Sequence, residues 1–475
     1  MRNSILVTSI ALSTLSALGG AQSAQPVKQE ISPAYKEAQW LPAQAPELAH
    51  GDNWWSVYDD ARLNELEQNL AASNLELKVA ESRFQQARSL IAMNRAAEAP
   101  TVSVSPSIDN IRYSANRPYF SQSMVNGGTG AFTLPFDFSY EVDLWGRIHK
   151  MVAAARDQAQ ASAADLASIR LILEAELAYD YFDLRSADAE AKILNDAVAD
   201  HTRIAVIEQD LFDGGVVSQD DLSAAKENLN QSRARLEEIS IRRTQDEHAI
   251  AVLGGKEPAQ FTLPADAGFQ EQIPQISVGV PSVLLERRAD ISAQQRLVAT
   301  ANEQIGIART AYYPSFTLSA EAGLQATTLW NWMNWPSRFW AIGGQLTQTL
   351  FDGGRRKANT ALAQEQYDGA VANYRQTVLR AFQEVEDQLS ALQTLNAETR
   401  QQSAAEQEAE QRLSLISVRY EGGISNQQSV LLSHLQVYSD QLALVDLDRR
   451  RLQASVNLIK ATGGGWSDAQ LAQIR

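Results

Sequence analysis

The chain contains the same unit twice, at a spacing of about 210 residues. Each copy has a Gly-Gly pair between two helix-forming stretches. These pairs are Gly214-Gly215 and Gly422-Gly423, which lie 208 residues apart. At the same offset Gly146-Arg147 matches Gly354-Arg355. Further upstream Asp290 to Pro314 matches Glu76 to Pro100 at an offset of 214 residues. One supersecondary unit has been duplicated, so the sequence predicts two similar halves within one body.

Composition excludes several classes of protein. The 475 residues carry a net charge of −16 and no basic cluster, which argues against nucleic acid as a partner. The chain has no cysteine, so disulfides, thiol chemistry and a lipid anchor on cysteine are excluded.

The first residues have the pattern of a secretory signal. Arg2 precedes an apolar stretch from Ile5 to Leu18, and Ala21-Gln22-Ser23 resembles a cleavage site. We therefore predict a signal peptide over residues 1–23, with a buried terminal helix as the alternative. No other segment has enough consecutive apolar residues for a membrane helix. An exported chain of this kind that spans a membrane must do so with strands.

Proline positions predict four long helices. No proline occurs from Phe136 to Glu257 or from Ser337 to Arg475, and proline is costly inside a helix. We predict helices over about 146–210, 218–253, 354–419 and 425–462, joined in pairs at the Gly-Gly sites. Capping boxes are predicted at Ser218-x-x-Asp221 and Ser425-x-x-Gln428.

Alternating segments predict two strands in each half. In the first half apolar residues from Phe132 to Leu144 alternate with polar ones, and a partner strand begins near Thr101. In the second half the alternation runs from Phe316 to Leu324 and resumes at Trp340. Such strands are typical of outer-membrane barrels. The loop tryptophans, predicted to form an aromatic girdle, are Trp330, Trp332, Trp335 and Trp340. The alternative is an aromatic cluster under a soluble β-hairpin.

Four strands are too few for one chain to close a barrel. An open sheet edge is not tolerated in lipid, and single-chain barrels begin at eight strands. The sequence therefore predicts a homo-oligomer that pools its strands, without fixing the number of copies.

Several motifs, taken in order, resemble a known family. They are Tyr140 to Arg147, Leu350 to Arg355, Leu284 to Ile291, Ala311 to Ser315 and Gly463-Gly464-Gly465-Trp466. Together they resemble the outer-membrane efflux proteins of the TolC/OprM type, especially the NodT branch. The resemblance extends from Trp54-Trp55 to Trp466, nearly the whole mature chain.

The resemblance implies a membrane α+β fold and a homotrimer. Twelve strands would form one outer-membrane β-barrel and twelve helices a long periplasmic α-barrel. The implied divisions are a signal peptide (1–23), an N-terminal extended or equatorial segment (24–60), a first repeat (61–255), an equatorial linker (256–281), a second repeat (282–462) and a C-terminal tail (463–475).

Two departures from the family are visible. The family usually has Arg-Arg-Pro-Asp where this chain has Arg288-Ala289-Asp290, which suggests a slightly looser helix start. Many NodT-branch members carry a lipidated cysteine, and this chain has none. The expected location is the outer membrane with a long periplasmic extension and no lipid anchor.

The function implied is passive conduction of small toxic compounds, as in multidrug resistance. The implied partners are a periplasmic adaptor, an inner-membrane efflux pump and outer-membrane lipid. A TolC-like duct for protein secretion and a periplasmic coiled-coil scaffold are the alternatives. An enzyme is not expected, because the five histidines are scattered and no catalytic motif occurs. No catalytic, cofactor or metal site is predicted.

The resemblance also suggests functional positions. Asp221 aligns with an acidic position at the periplasmic tip, where it would form a charged ring or serve only as a capping acid. Asp220 beside it is interpreted as solvated. Leu431 or Leu432 is a hypothetical apolar constriction. The tip turns, which either dock the adaptor or only cap helices, contain Gly214, Gly215, Gly422 and Gly423. The predicted pore-lining acids, which solvate the pore or contribute to its selectivity, are Asp137, Glu141 and Asp143.

Overall fold

The computed structural model describes residues 34–38, 53–112, 114, 129–266, 273–274, 276 and 281–473. All of them belong to one compact unit that spans residues 31–475. The predicted signal peptide and its cleavage site lie outside the described residues, as does part of the predicted linker.

The described residues form eight α-helices and five strands. The helices are α1 (Ala61–Ser73), α2 (Leu75–Arg95), α3 (Arg147–Asp213), α4 (Gln219–Leu253), α5 (Pro281–Arg287), α6 (Ala289–Thr310), α7 (Arg355–Glu421) and α8 (Gln427–Ala461). The strands are β1 (Thr101–Val104), β2 (Ser107–Ile111), β3 (Thr129–Val142), β4 (Ser315–Ala326) and β5 (Arg338–Thr347).

The duplication is reproduced closely in the helices. α3 and α7 each have 67 residues and α4 and α8 each have 35, and both pairs begin 208 residues apart. A helix of 67 residues is roughly 100 Å long. All four long helices that the sequence predicts are present, within a few residues of the predicted ends.

The long helices form one layer. α3 packs against α4, α8, α2 and α6, and α7 packs against α8 and α6. The two hairpins α3–α4 and α7–α8 therefore lie side by side in the order α4, α3, α8, α7, while α2 and α6 occupy the part of the layer nearer the sheet. No helix among the described residues is long and apolar enough to cross a membrane.

The shorter helices meet the ends of the longer ones. The Asn74 side chain caps the start of α2 through the Leu77 amide (2.9 Å) and donates to the carbonyl of Leu253, at the end of α4 (2.9 Å). In the second repeat the Arg288 guanidinium donates to the carbonyl of Ala461, at the end of α8 (3.1 Å). Gly463 fits here because its φ is +95° and a Cβ would lie 2.1 Å from the Arg287 carbonyl oxygen. α4 with α2, and α8 with α6, thus act as two interrupted helices beside the continuous α3 and α7.

The strands form one antiparallel sheet. β1 and β2 both pair with β3, which pairs with β4, which pairs with β5. The pairings Val104↔Phe136 and Ser107↔Thr133 are in the same register, so β1 and β2 are one strand interrupted at Ser105-Pro106. Proline has no amide hydrogen to donate to the ladder. The predicted four strands are therefore present, the first of them in two segments.

The main apolar core lies around the middle of the helical layer, where α4 and α8 end. Tyr181, Phe182 and Leu177 of α3 are buried there with Trp54 and Trp55. A smaller core lies near the Gly-Gly turns, formed by Ile204 and Ala205 of α3, Ala225 and Leu229 of α4 and Leu431 of α8.

Candidate functional site

The sheet has one apolar face and one polar face. The pairs Phe136↔Ala322 and Ala322↔Trp340 place the predicted alternating apolar residues on the same face. That face is open in a single chain: Ile342 is 77% exposed and Val102 is 66% exposed. Apolar side chains exposed over a whole sheet face need an apolar environment or a partner.

The opposite face carries acidic residues. Asp137 of β3 lies directly opposite Glu321 of β4, and the Ser105 hydroxyl donates to Asp137 (3.2 Å). Like charges at directly opposed positions destabilise a sheet, unless water screens them. This face is therefore suited to contact with water.

Glu141 and Asp143 hold the start of α3. The Arg147 guanidinium donates two hydrogen bonds to the Glu141 carboxylate (3.0 and 2.6 Å). Asp143 accepts from the backbone amide and the ring of His149 (2.9 and 2.7 Å). Both acids thus join the sheet to the helix, a role that sequence reasoning missed.

The four loop tryptophans lie at one end of the sheet. Trp330, Trp332 and Trp335 are in the β4–β5 connection, and Trp340 is in β5. Trp330 is 91% exposed, whereas Trp332 packs against Phe132 with ring centroids 5.8 Å apart.

A second aromatic group, not predicted from the sequence, lies at the other end of the sheet. Trp145 stacks on Tyr313 with ring centroids 4.8 Å apart, and its indole donates to the Pro314 carbonyl (2.7 Å). Leu350 and Phe351 beside the start of α7 are 89% and 90% exposed. The signal was present in Trp145, Tyr312 and Tyr313, but these residues stand outside the alternating segments.

Both Gly-Gly sites form the same turn. The Val216 amide donates to the Leu211 carbonyl (2.8 Å), and the Ile424 amide donates to the Arg419 carbonyl (2.8 Å). This is the Schellman arrangement, which places a left-handed residue after the helix. Gly215 and Gly423 have φ of +73° and +71°, while Gly214 and Gly422 have negative φ. Only the second glycine of each pair supplies the predicted positive φ.

The restart after the first turn is as predicted. Ser218 and Asp221 form a reciprocal capping box at the start of α4. Hydrogen bonds from the Ser218 hydroxyl and amide hold the pKa of the Asp221 carboxyl below its ordinary value. Asp220 is exposed beside it.

The restart after the second turn differs from the prediction. The helix cap is Asn426, which accepts from the Ser429 amide (2.9 Å), and the predicted cap at Ser425 with Gln428 is wrong. Asn426 is the residue that the 208-residue offset places at Ser218, and asparagine caps as well as serine does.

The two tip leucines have different environments. Leu431 is buried in the small core, and Leu432 is 53% exposed. Only Leu432 is therefore available to face an open channel.

Polar contacts tie the two hairpins together near the turns. The His434 ring of α8 lies 3.0 Å from the Asp200 carboxylate of α3. Gln428 donates to Glu208 (2.5 Å). Sequence reasoning missed these contacts because they join residues more than 200 positions apart.

Known proteins share this architecture. The outer membrane efflux protein family matches residues 66–256 and 280–464, and the chain belongs to this family. It is 31% identical over 424 residues to the outer membrane protein OprJ of Pseudomonas aeruginosa, covering 88% of this chain and 87% of OprJ. It is 29% identical over 437 residues to the toluene efflux pump outer membrane protein TtgC of Pseudomonas putida, covering 91% and 88%. The crystal structure of the Campylobacter jejuni CmeC outer membrane channel superposes with a TM-score of 0.86 at 25% identity, covering 93% and 94%.

Proposed function

We propose that this chain is the outer-membrane channel of a tripartite efflux system. It would passively conduct small toxic compounds that an inner-membrane pump and a periplasmic adaptor deliver. The observation that carries the proposal is the sheet, whose exposed apolar face suits lipid and whose acidic face suits a water-filled lumen. The names of OprJ and TtgC as outer membrane and efflux pump proteins support it.

The sheet supports a ring of several copies. Successive strands are antiparallel and the chain supplies an even number, so β5 of one copy and β1–β2 of the next would also run antiparallel. Three copies would give the twelve strands and twelve helical staves that the family resemblance implies.

The two aromatic groups fit the two surfaces of a bilayer. Trp340 and Leu346 are six residues apart on the apolar face of β5, a rise of roughly 20 Å. Apolar bands of outer-membrane barrels are about 25 Å high and are flanked by aromatic residues at both interfaces. Trp330 and Trp335 would therefore form the outer girdle, and Trp145 with Tyr313 the periplasmic one.

The Gly-Gly turns would form the periplasmic tip. Asp221 in several copies would make a ring of negative charge, and Leu432 would narrow the opening. Because Gly214, Gly215, Gly422 and Gly423 keep the turns thin, we assign adaptor docking to them as well. Asp137 is the pore-lining acid least occupied by other contacts, since Glu141 and Asp143 also bind α3.

Accumulation of dyes, antibiotics and aromatic acids in cells with and without the chain tests the proposed cargo. Higher retention without the chain is expected, and the retained compounds would define the pump class. Unchanged retention across the panel would contradict small-molecule efflux and direct attention to secreted proteins.

Opposite faces of β5 give a matched pair for the membrane assignment. Ile342→Lys places a charge on the apolar face, where it is expected to cost about 2–4 kcal/mol and reduce the chain recovered in the outer membrane. Gln345→Lys in the same strand points to the polar face and should insert normally. Equal recovery of the two variants would contradict the assignment of faces.

A further inference from the structure

Equivalent positions of the two repeats differ in burial on one face of each long helix. Asp200 and Ile204 of α3 are 3% and 5% exposed because α8 covers them. Their equivalents 208 residues later, Glu408 and Arg412 of α7, are exposed. In the part of the chain that the structure describes, no helix covers this side of α7 near the turns.

The same contrast in burial is found between α8, which faces α3, and its equivalent α4. Leu431 of α8 is buried, and its equivalent Ser223 in α4 is exposed. His434 and Leu435 of α8 correspond to Lys226 and Glu227 of α4, both exposed. The faces used inside each hairpin behave differently, because they are covered in both repeats. Ala225 and Leu229 are buried, and so are their equivalents Ser433 and Val437.

In the proposed ring α7 of one copy lies beside α4 of the next copy, as α3 lies beside α8 within the chain. We infer that Glu408 forms an ion pair there with Lys226 of the next copy, at the position equivalent to Asp200 and His434. Lys226 also donates to Gln209 of its own hairpin (2.9 Å), which leaves ammonium hydrogens for Glu408. This inference rests on the proposed ring, in which the order α4, α3, α8, α7 is followed by another α4.

Charge supports this contact. An acid occupies both α3-type positions, Asp200 and Glu408, and the residue opposite is the imidazole of His434 in one case and the Lys226 ammonium in the other. A second pair of opposite charges, Arg412 and Glu227, stands where Ile204 and Leu435 pack within the chain. The contact within a chain is thus partly apolar, and the contact between chains would be mainly charged.

The charged pairs would determine how neighbouring copies are aligned more than how strongly they associate. An exposed ion pair contributes only about 0–1 kcal/mol, whereas a wrong alignment that opposes like charges is penalised. Copies would therefore assemble in one alignment while the helices near the turns stay able to separate.

Cross-linking tests the contact against an internal control. The chain has no cysteine, so introduced pairs have no background. Glu408→Cys with Lys226→Cys, treated in membranes with a short bifunctional thiol reagent, should give covalent dimers and trimers on a denaturing gel. Asp200→Cys with His434→Cys should cross-link within the chain and remain at monomer mass. If the control pair reacts and the first pair yields only monomer, the inferred contact is wrong.

Exchanging the two charges gives a second test, which needs no introduced cysteine and no cross-linking reagent. Glu408→Lys opposes two lysines and should lower the temperature at which the detergent-solubilised oligomer dissociates. Adding Lys226→Glu should restore it, and a double variant no better than the single one would overturn the contact. Efflux measured on the same cells distinguishes a failure of the inferred interface from a failure of the proposed channel function. Normal efflux with neither cross-link nor rescue would reject this interface and leave the channel proposal intact.

Discussion

Glu67 is an acid in an apolar position. It lies on the buried face of α1 with Leu63 and Leu70, is fully buried, and neither carboxyl oxygen has a hydrogen-bond partner among the described residues. Burial, with a further contribution from Glu174, raises its pKa well above the ordinary value, against the opposing effect of Arg170. The carboxyl group therefore keeps its proton more readily in the folded chain than in the unfolded one.

This shift predicts the direction of a pH effect at Glu67. The stability that the proton provides is complete below the unfolded pKa and is lost as pH rises through the raised folded pKa. Glu67→Gln should therefore be more stable than the wild type near pH 8, with a smaller difference near pH 5. Thermal unfolding of the two proteins across this range checks it, and parallel pH profiles would show that Glu67 does not titrate in this way.

Individual residues at the tip were predictable only where their role is local. The Ser218–Asp221 box follows from four consecutive positions, and the structure contains it. The second cap was misplaced by one residue because Ser425 and Asn426 are both good caps. The ties between His434 and Asp200 and between Gln428 and Glu208 depend on which helices are neighbours, which the sequence does not state.

At the scale of elements, the two glycines of a Gly-Gly turn differ in the backbone conformation that they adopt. Gly215 has a φ of +73°, and placing an L-residue there is expected to cost roughly 1–2 kcal/mol. Gly214 has a φ of −78°, so alanine at that position should be accepted. Gly215→Ala is expected to speed amide exchange and proteolysis around 211–218, and Gly214→Ala is the matched control. Equal exchange in the two variants would show that the left-handed residue does not hold the turn.

The helices were predictable because their signals are long and local. Stretches without proline and periodic apolar residues extend over many turns, so errors are confined to the ends. The stacking of α2 on α4 left no such signal. It depends on the bond from Asn74 to the Leu253 carbonyl, between residues 179 positions apart. The interruption of the first strand at Ser105-Pro106 was likewise hidden, since pairing with β3 continues in register on both sides.

The linker is fastened by a buried polar cluster that composition alone would not reveal. Arg243 of α4 binds Asp188 of α3 (2.6 Å) and the Leu263 carbonyl (2.7 Å). Arg185 donates to the Pro264 carbonyl (2.9 Å). Proline and glycine marked this segment as a linker, whereas the arginines that hold it belong to α4 and α3, 20 and 79 positions before the carbonyl groups that they bind.

At the scale of the whole molecule, a polar junction between α3, α4 and α8 is among the contacts that connect the two repeats. Asp183 of α3 accepts from Arg449 of α8 (3.2 Å), and its charge acts on the Asp246 carboxyl of α4, one oxygen of which is buried with no hydrogen-bond partner among the described residues. Asp180 lies close to Asp246 in the same junction, and Glu176 adds further negative charge.

The basic residues of this junction have other acidic partners. Arg449 also donates to Asp446 (2.6 Å), and Arg242 donates to Glu190 (2.6 Å). The junction therefore holds more carboxyl groups than its guanidinium groups can neutralise. Burial, with repulsion from neighbouring carboxylates, raises the pKa of Asp180 and of Asp246 to about 7 each.

Raising pH through neutrality should therefore loosen the contact between repeats. The folded pKa values exceed the ordinary value, so the stability that these protons provide is present at low pH and is lost as pH rises through about 7. The interacting groups titrate as a set, so one broad transition is expected. The unfolding temperature of the assembled protein should fall between about pH 6 and pH 8. Asp246→Asn should flatten that fall, because a neutral amide is neither penalised by burial as a charge nor repelled by Asp183, whereas Asp387→Asn on an exposed face of α7 should leave it unchanged. A fall of the same size in the Asp246→Asn protein would mean that another group carries the pH dependence.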